Sequence, residues 1–346
     1  MPIHDSPGTA INAAPDLATP GRSCPLHYRY APEVFRADAP SRLQSLEVLY
    51  VVGGLYGNEL ALERVLELFE RERGRKRLVF NGDFHWFDAD PEVFGRIQAT
   101  VLAHEALRGN VETELTSDDD DGDVGCGCAY PDWVGQSVVE RSNRIMLRLR
   151  QAATPEHRAE LGALPMWQRA DVGPLRLGIV HGDATSLAGW GFAQEHLRDA
   201  AHRQLARHWL DRAAVDAFAC THTCLPVFQA LAAGTGGEPR WVLNNGATGM
   251  PNFAADGAGL LTRVALSPFQ GAERRFGIVA GAGHVHVDAI GVDFDPGAWM
   301  ELFCRQWPPG SDAYLSYIDR IIHGPACEQR DAVRDENGHP AVCPER

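Results

Sequence analysis

The sequence predicts an α/β fold built on a parallel sheet. Two observations carry this. From Ser45 to Leu115, apolar runs of strand length alternate with stretches of helical period. After Cys224, short β-rich runs follow one another between Gly and Pro. Strand–helix alternation is the pattern of a parallel sheet with crossover helices, and closely spaced short strands are the pattern of an antiparallel meander.

The elements follow in order. SLEVLYVVGG, from Ser45 to Gly54, is a buried strand ending in a glycine turn. ELALERVLELFERERG follows, with Leu60, Leu62, Val65, Leu66 and Phe69 at helical spacing. KRLVFNGDF is a second short strand, and PEVFGRIQATVLAHEA is a helix with Pro91 suited to its first turn. The rhythm breaks between Thr113 and Asp171, which we assign as an insertion holding the acidic run SDDDDGDVGCGC and a helix, VVERSNRIMLRLRQAA. LRLGIVHGDA resumes the sheet. AQEHLRDAAHRQLARHWLDRAA is a helix, and VDAFACTHTC a strand entering a turn. VFQALAA, RWVLNNG, LLTRVAL, RFGIVAG and HVHVDAIGVD form the expected meander. The chain therefore divides into an arm (1–45), a main domain (46–294) with its insertion (113–171), and a tail (295–346). The tail is expected to be helical near Met300–Trp307, then polar and mobile after Pro325.

Composition narrows the function. The 346 residues carry a formal charge of −14, from 46 acidic and 32 basic side chains. Such a surface repels a phosphate backbone, so no nucleic-acid partner is expected. The N-terminus lacks an unbroken apolar stretch after a basic start, and no apolar run approaches the roughly 20 residues of a membrane helix. A soluble, cytoplasmic protein is expected, with no membrane partner and its eight cysteines mostly reduced. Nothing in the sequence bears on oligomeric state.

Polar residues gather where the strands end: Asp83 in NGD, Asn110 in RGN, His181 in VHGD, and His222 with Cys224 in THTC. The carboxyl ends of strands in an open α/β sheet share one crevice, where ligands bind. Separate strand ends that each offer an oxygen or nitrogen make a metal site.

In these contexts the chain resembles the calcineurin-like metallophosphoesterases. The motifs that carry the resemblance are Gly54-Leu55-Tyr56-Gly57-Asn58, Gly82-Asp83, Gly109-Asn110-Val111-Glu112, His181-Gly182, Thr221-His222-Thr223-Cys224 and Asn244-Asn245-Gly246-Ala247-Thr248. The resemblance spans roughly Val48 to Val292, interrupted by the insertion. It implies a four-layer αββα sandwich with metals held between the sheets. It also implies that one metal's ligands are replaced, because Gly54, Tyr56 and Cys224 stand where the family has Asp, His and His. The other set is intact as Asn110, His181 and His222, with Asp83 as the family's bridging carboxylate.

One carboxylate, one amide oxygen and two imidazoles suit a divalent transition metal: Zn, Mn, Fe or Ni. Several residues could compensate for the missing cation. Cys224 is either a soft thiolate ligand or a small buried thiol. Tyr56 either donates to an oxyanion or ligates iron, or it plugs the vacated pocket. His85 either replaces a lost imidazole or acts as general acid, or it is an exposed loop residue. Glu112 pairs locally, and Asp88 orients a site residue. The acidic run is either a solvated loop or a lid that brings Cys126 and Cys128 to the cleft. The expected activity is hydrolysis of a small phosphoester. The alternatives are a non-catalytic binding protein on the same fold, or another metal-assisted reaction that uses Cys or Tyr near the ion.

Overall fold

A computed structural model describes residues 26–36, 43–116, 125–128, 130–232 and 237–341. Its strands are β1 (Leu43–Leu46), β2 (Val48–Val52), β3 (Lys76–Asn81), β4 (Glu105–Leu107), β5 (Trp167–Val172), β6 (Leu175–Val180), β7 (Ala217–Cys220), β8 (Val227–Leu231), β9 (Arg240–Asn244), β10 (Gly259–Ala265), β11 (Arg274–Ala280), β12 (Val285–Val292) and β13 (Val333–Arg334). Its helices are α1 (Glu59–Arg71), α2 (Pro91–Leu102), α3 (Asn110–Thr116), α4 (Gln136–Ala152), α5 (Pro155–Gly162), α6 (Ala200–Ala213), α7 (Pro296–Gln306) and α8 (Asp312–His323).

The strands form two mixed sheets. One runs β11-β12-β10-β2-β3-β4, the other β1-β5-β6-β7-β9-β8-β13. Side-chain alternation shows how they stack. Val48, Tyr50 and Val52 of β2 face a core shared with α1, α2, α4, α7 and α8. Leu49 and Val51 face the opposite way, into a core shared with Leu177, Ile179, Ala217 and Ala219 of the second sheet. Beyond that sheet, Phe218 and Cys220 pack against Ala206, Trp209 and Leu210 of α6. Helices, sheet, sheet and helix make the four layers of an αββα sandwich. Both faces of the central strands are apolar because both are covered.

Local chemistry sets the helix starts. The Asn58 side chain accepts from Ala61 N and caps α1, and its amide donates to the Gly249 carbonyl at 3.0 Å. Asp90 caps α2, with Pro91 in the first turn. α6 begins at Ala200 behind its cap Asp199, later than the periodicity from Ala193 suggests, because a 3-10 turn occupies His196–Arg198.

Two expectations need correction. The late strands do not form one meander that makes the second sheet. β8 and β9 extend the seven-stranded sheet, where β9 runs parallel to β7, while β10 to β12 extend the six-stranded one. Short strands buried on both faces carry no pattern that tells one sheet from the other. The tail is also ordered past Pro325: β13 pairs with β8, and Arg334 is 1% exposed.

The segment 113–171 supplies α4, α5 and β5, the last paired to β1 and β6. Within the arm, the described Leu26–Arg36 stretch packs through buried Tyr28 and Phe35, whereas residues 1–25 and 37–42 lie outside the described residues. So does the acidic part of the insertion, 117–124. Among the described residues no helix is long and apolar enough to cross a membrane.

Candidate metal centre

Strands β2, β3 and β4 are mutually parallel, as are β6, β7 and β9. Their carboxyl ends meet at one rim. Asp83 follows β3, Asn110 opens α3 after β4, His181 follows β6, and His222 follows β7. All four are at most 6% exposed.

The four bring acceptors face to face. His181 Nε2 lies 3.1 Å from Asn110 Oδ1, 3.2 Å from Asp83 Oδ2 and 3.2 Å from His222 Nδ1. Among the described residues, Asp83, His181 and His222 offer ligand atoms that all fall within 4.8 Å of one another. Their protonation is fixed from behind. His181 Nδ1 meets the Asn81 carbonyl at 2.9 Å, and His222 Nε2 meets the Cys128 carbonyl at 3.2 Å. A carbonyl only accepts, so each of those nitrogens carries a proton, and when the ring is neutral its lone pair is the one turned inward. The Asn110 amide donates to the Cys126 carbonyl at 2.7 Å, which aims its oxygen inward too.

One carboxylate oxygen, one amide oxygen and two imidazole lone pairs therefore converge. A proton on His181 would relieve only some of these contacts, whereas a cation relieves all of them. Ligands about 2.1 Å from a shared ion stand about 3 Å apart when at right angles, which the observed separations match. The residues fit a divalent cation. Burial and the neighbouring His181 push His222 down to about 4, so its ring is neutral and ready to ligate. Burial works most strongly against a charged His181, but the Asp83 carboxylate, the Asn81 carbonyl and Glu112 together outweigh it and the net direction is up.

Glu112 holds the turns that carry these donors. Its buried carboxylate accepts from the backbone N–H of Asp83, Phe84, His85 and Gly109, at 2.8 to 3.3 Å. Burial and the nearby Asp83 still raise its pKa to about 7. The local pairing expected of it is what the structure shows.

The positions where the ligands are replaced form their own cluster. Gly54 has φ +65°, and a Cβ there would lie 2.8 Å from the Tyr56 ring. The ring thus occupies the space that a side chain at 54 would enter. Tyr56 Oη meets Cys224 Sγ at 2.6 Å, and that thiol also donates to the His222 carbonyl. Tyr56, Asp83 and Cys224 all have positive φ, a conformation costing roughly 1–3 kcal/mol each in non-glycine residues.

Three sequence expectations change here. Cys224 does not join the acceptor cluster, because its thiol turns to Tyr56, and burial raises its pKa despite the opposing pull of Arg320. Tyr56 plugs the vacated position, with its ring at 4% exposure and its hydroxyl committed to sulfur. His85 is neither exposed nor on the cavity. It is fully buried, stacked on Phe94 at 3.6 Å, with Nδ1 bonded to Asp88. Asp88 thus orients His85 and not a member of the acceptor cluster.

The insertion does reach the site. Cys128 lines a cavity of about 170 Å³ beside the donors, with Asp83, Asn110 and His222 at its floor. What sequence reasoning missed is the part played by backbone carbonyls, including those of the two cysteines that it weighed as thiols. Asn81, Cys126 and Cys128 present carbonyls, and Trp190 donates Nε1–H to the same Cys128 carbonyl at 2.9 Å. No side-chain motif encodes a carbonyl's direction.

No family model matches the sequence, and no curated protein matches it. Solved structures do match. A metallophosphoesterase from Sphaerobacter thermophilus aligns over 80% of this chain and all of its own, with TM-score 0.50 and 15% identity. A hypothetical protein from Pyrococcus horikoshii OT3 aligns over 81% of this chain and 99% of its own, with TM-score 0.51 and 15% identity. With two stacked sheets between helices, and polar turns gathered at one rim, the chain has the fold of the calcineurin-like metallophosphoesterases.

Proposed function

We propose that the protein is a metal-dependent hydrolase of a small phosphoester, working through one divalent cation at Asp83, Asn110, His181 and His222. The observation that carries this reading is the convergence of four inward-facing acceptors, each oriented by a bond behind it, for Asp83 the Val111 N–H donated to Oδ1 at 3.2 Å. A cation held there supplies Lewis acidity toward a phosphoryl oxygen and a water acidified toward neutrality. The mixed nitrogen–oxygen set suits Zn, Mn, Fe or Ni. The chain's own groups do the rest. The Asn81 and Cys128 carbonyls keep both imidazoles in their ligating tautomer. Glu112 clamps the turns after β3 and β4 together. Tyr56 closes the position of a second cation, so two-metal clamping of attacking and leaving oxygens is not on offer.

That closure also favours a second reading, in which the fold binds a ligand without hydrolysing it. Elemental analysis joined to a panel of phosphate mono- and diesters separates the two. We expect one equivalent of transition metal per chain, with turnover, and loss of both in Asp83→Asn and His181→Ala. Bound metal with no turnover across the panel would select the binding reading. Metal-free protein that cannot be loaded would sink both.

A further inference from the structure

The cavity beside the donors has a wall with little in common with its floor. Trp86, Tyr130, Trp190, Met250 and Tyr317 line it together with Tyr56. Among the described lining residues there is no lysine and no arginine. Most polar tips of this wall are already engaged, and Thr223 Oγ1 accepts from Asn244 Nδ2 at 2.9 Å. Tyr130 Oη pairs with Ser142 Oγ at 3.0 Å, Trp190 Nε1 with the Cys128 carbonyl, and Tyr56 Oη with Cys224 Sγ. Apart from the hydroxyls of Thr223 and Tyr317, the wall presents ring faces and a thioether. These are surfaces for aromatic stacking and for sulfur–ring contact.

Size sets a second limit. At about 170 Å³ the cavity lies below the roughly 300–1,000 Å³ of common ligand pockets. It is close to the roughly 150 Å³ of an engineered apolar cavity that takes up benzene. One six-membered ring fills such a space. A sugar or a nucleoside would bring more hydroxyls than the two on this wall, those of Thr223 and Tyr317, can pair, and leaving the rest unpaired is costly.

We infer that the cavity is a binding site for a single uncharged ring, and that the substrate is an ester whose reacting group sits at Asp83, Asn110 and His222 with its ring against Trp86, Trp190 and Met250. The ester half rests on the function proposed above. The ring half does not. Arg320 does not line the cavity, and its Nε and Nη2 donate to the Cys224 and Pro251 carbonyls.

Two measurements test the halves separately. In the first, phenol is titrated into the full-length, metal-loaded protein by calorimetry, beside glycerol as the polar control. Saturable phenol binding is expected, with no binding of glycerol. Met250→Trp should fill the cavity and abolish the phenol heat. Circular dichroism shows whether that variant is folded, and phenol quenching of wild-type tryptophan fluorescence gives the same answer without a variant. In the second, phenyl phosphate is compared with glycerol 3-phosphate and adenosine monophosphate. A kcat/KM preference for the phenyl ester on the order of 100-fold is expected. Phenol binding with no turnover of any ester would remove the hydrolase reading and keep the ring site. Turnover of all three esters at similar rates, with no phenol heat, would overturn the ring site and leave the hydrolase reading standing.

Discussion

Gly54 and Tyr56 are two substitutions that make sense only together. With φ at +65° and the Tyr56 ring 2.8 Å from where a Cβ would stand, position 54 tolerates no side chain while the ring is there. Gly54→Asp alone should cost about 2–6 kcal/mol, the sum of left-handed strain and overpacking, read as a shift in the urea midpoint. Combined with Tyr56→His and Cys224→His, the same change no longer meets the phenol ring. It also rebuilds the ligand set that the family resemblance implies. The triple variant should be more stable than Gly54→Asp and should bind a second metal equivalent, both visible in one preparation by melting and elemental analysis. A triple variant that stays at one equivalent would show that more than these three positions separates the site from a two-metal one. At this scale the sequence was informative where side chains converge. Asp83, Asn110, His181 and His222 could be named from their places at strand ends. His85 misled because a His two residues past a GD turn looks available, whereas its ring is held by Asp88 and Phe94 in the core.

Among the elements, the short loop Gly125–Cys128 matters most for the site. Its two cysteine carbonyls orient Asn110 and His222, and the Cys126 N–H is anchored on Asn143 Oδ1 at 3.1 Å. The loop contributes by backbone direction, and its thiols lie outside the acceptor cluster. Gly127 has φ +65°, and a Cβ there would collide with Tyr28 Oη. Gly127→Ala should therefore push the loop off the arm and loosen both carbonyl contacts. Removing such supporting contacts weakens metal binding by about 10–100-fold. Competition against a chromophoric chelator measures this, and circular dichroism should show the fold intact. Unchanged affinity would mean that the loop merely covers the site. The sequence flagged a shaped turn in VGCGC, but could not show which carbonyls it would offer. A carbonyl's aim depends on φ and ψ, which side-chain identity leaves open outside special cases such as glycine.

Taken whole, the molecule closes its second sheet with its own tail. β13 pairs with β8, and buried Arg334 donates to the Gln194 carbonyl and side chain, both at 2.6 Å. Burial pulls that guanidinium down to about 10, and it stays charged at neutral pH. Arg334→Ala leaves those acceptors unpaired and should cost about 3 kcal/mol, measured by urea unfolding. A change under about 0.5 kcal/mol would mark the tail as an accessory strand. The α/β class was legible because strand–helix alternation survives through Leu115 and again from Leu175, whereas the four-layer stacking was implied only by the family resemblance. The division of the late strands between two sheets was not legible, because β8, β9 and β10 are buried on both faces and show no alternation. The tail escaped notice because a two-residue strand has no period at all.

The convergence of Asp83, Asn110, His181 and His222 on one ion is tested most directly by zinc X-ray absorption on the loaded full-length protein, with metal counted per chain. One equivalent is expected, in a shell of nitrogen and oxygen at about 2.0–2.2 Å with no sulfur. A sulfur shell at about 2.3 Å would bring Cys224 or Cys128 into the site as a ligand and contradict the four-donor centre, as would a second equivalent bound by the wild-type chain.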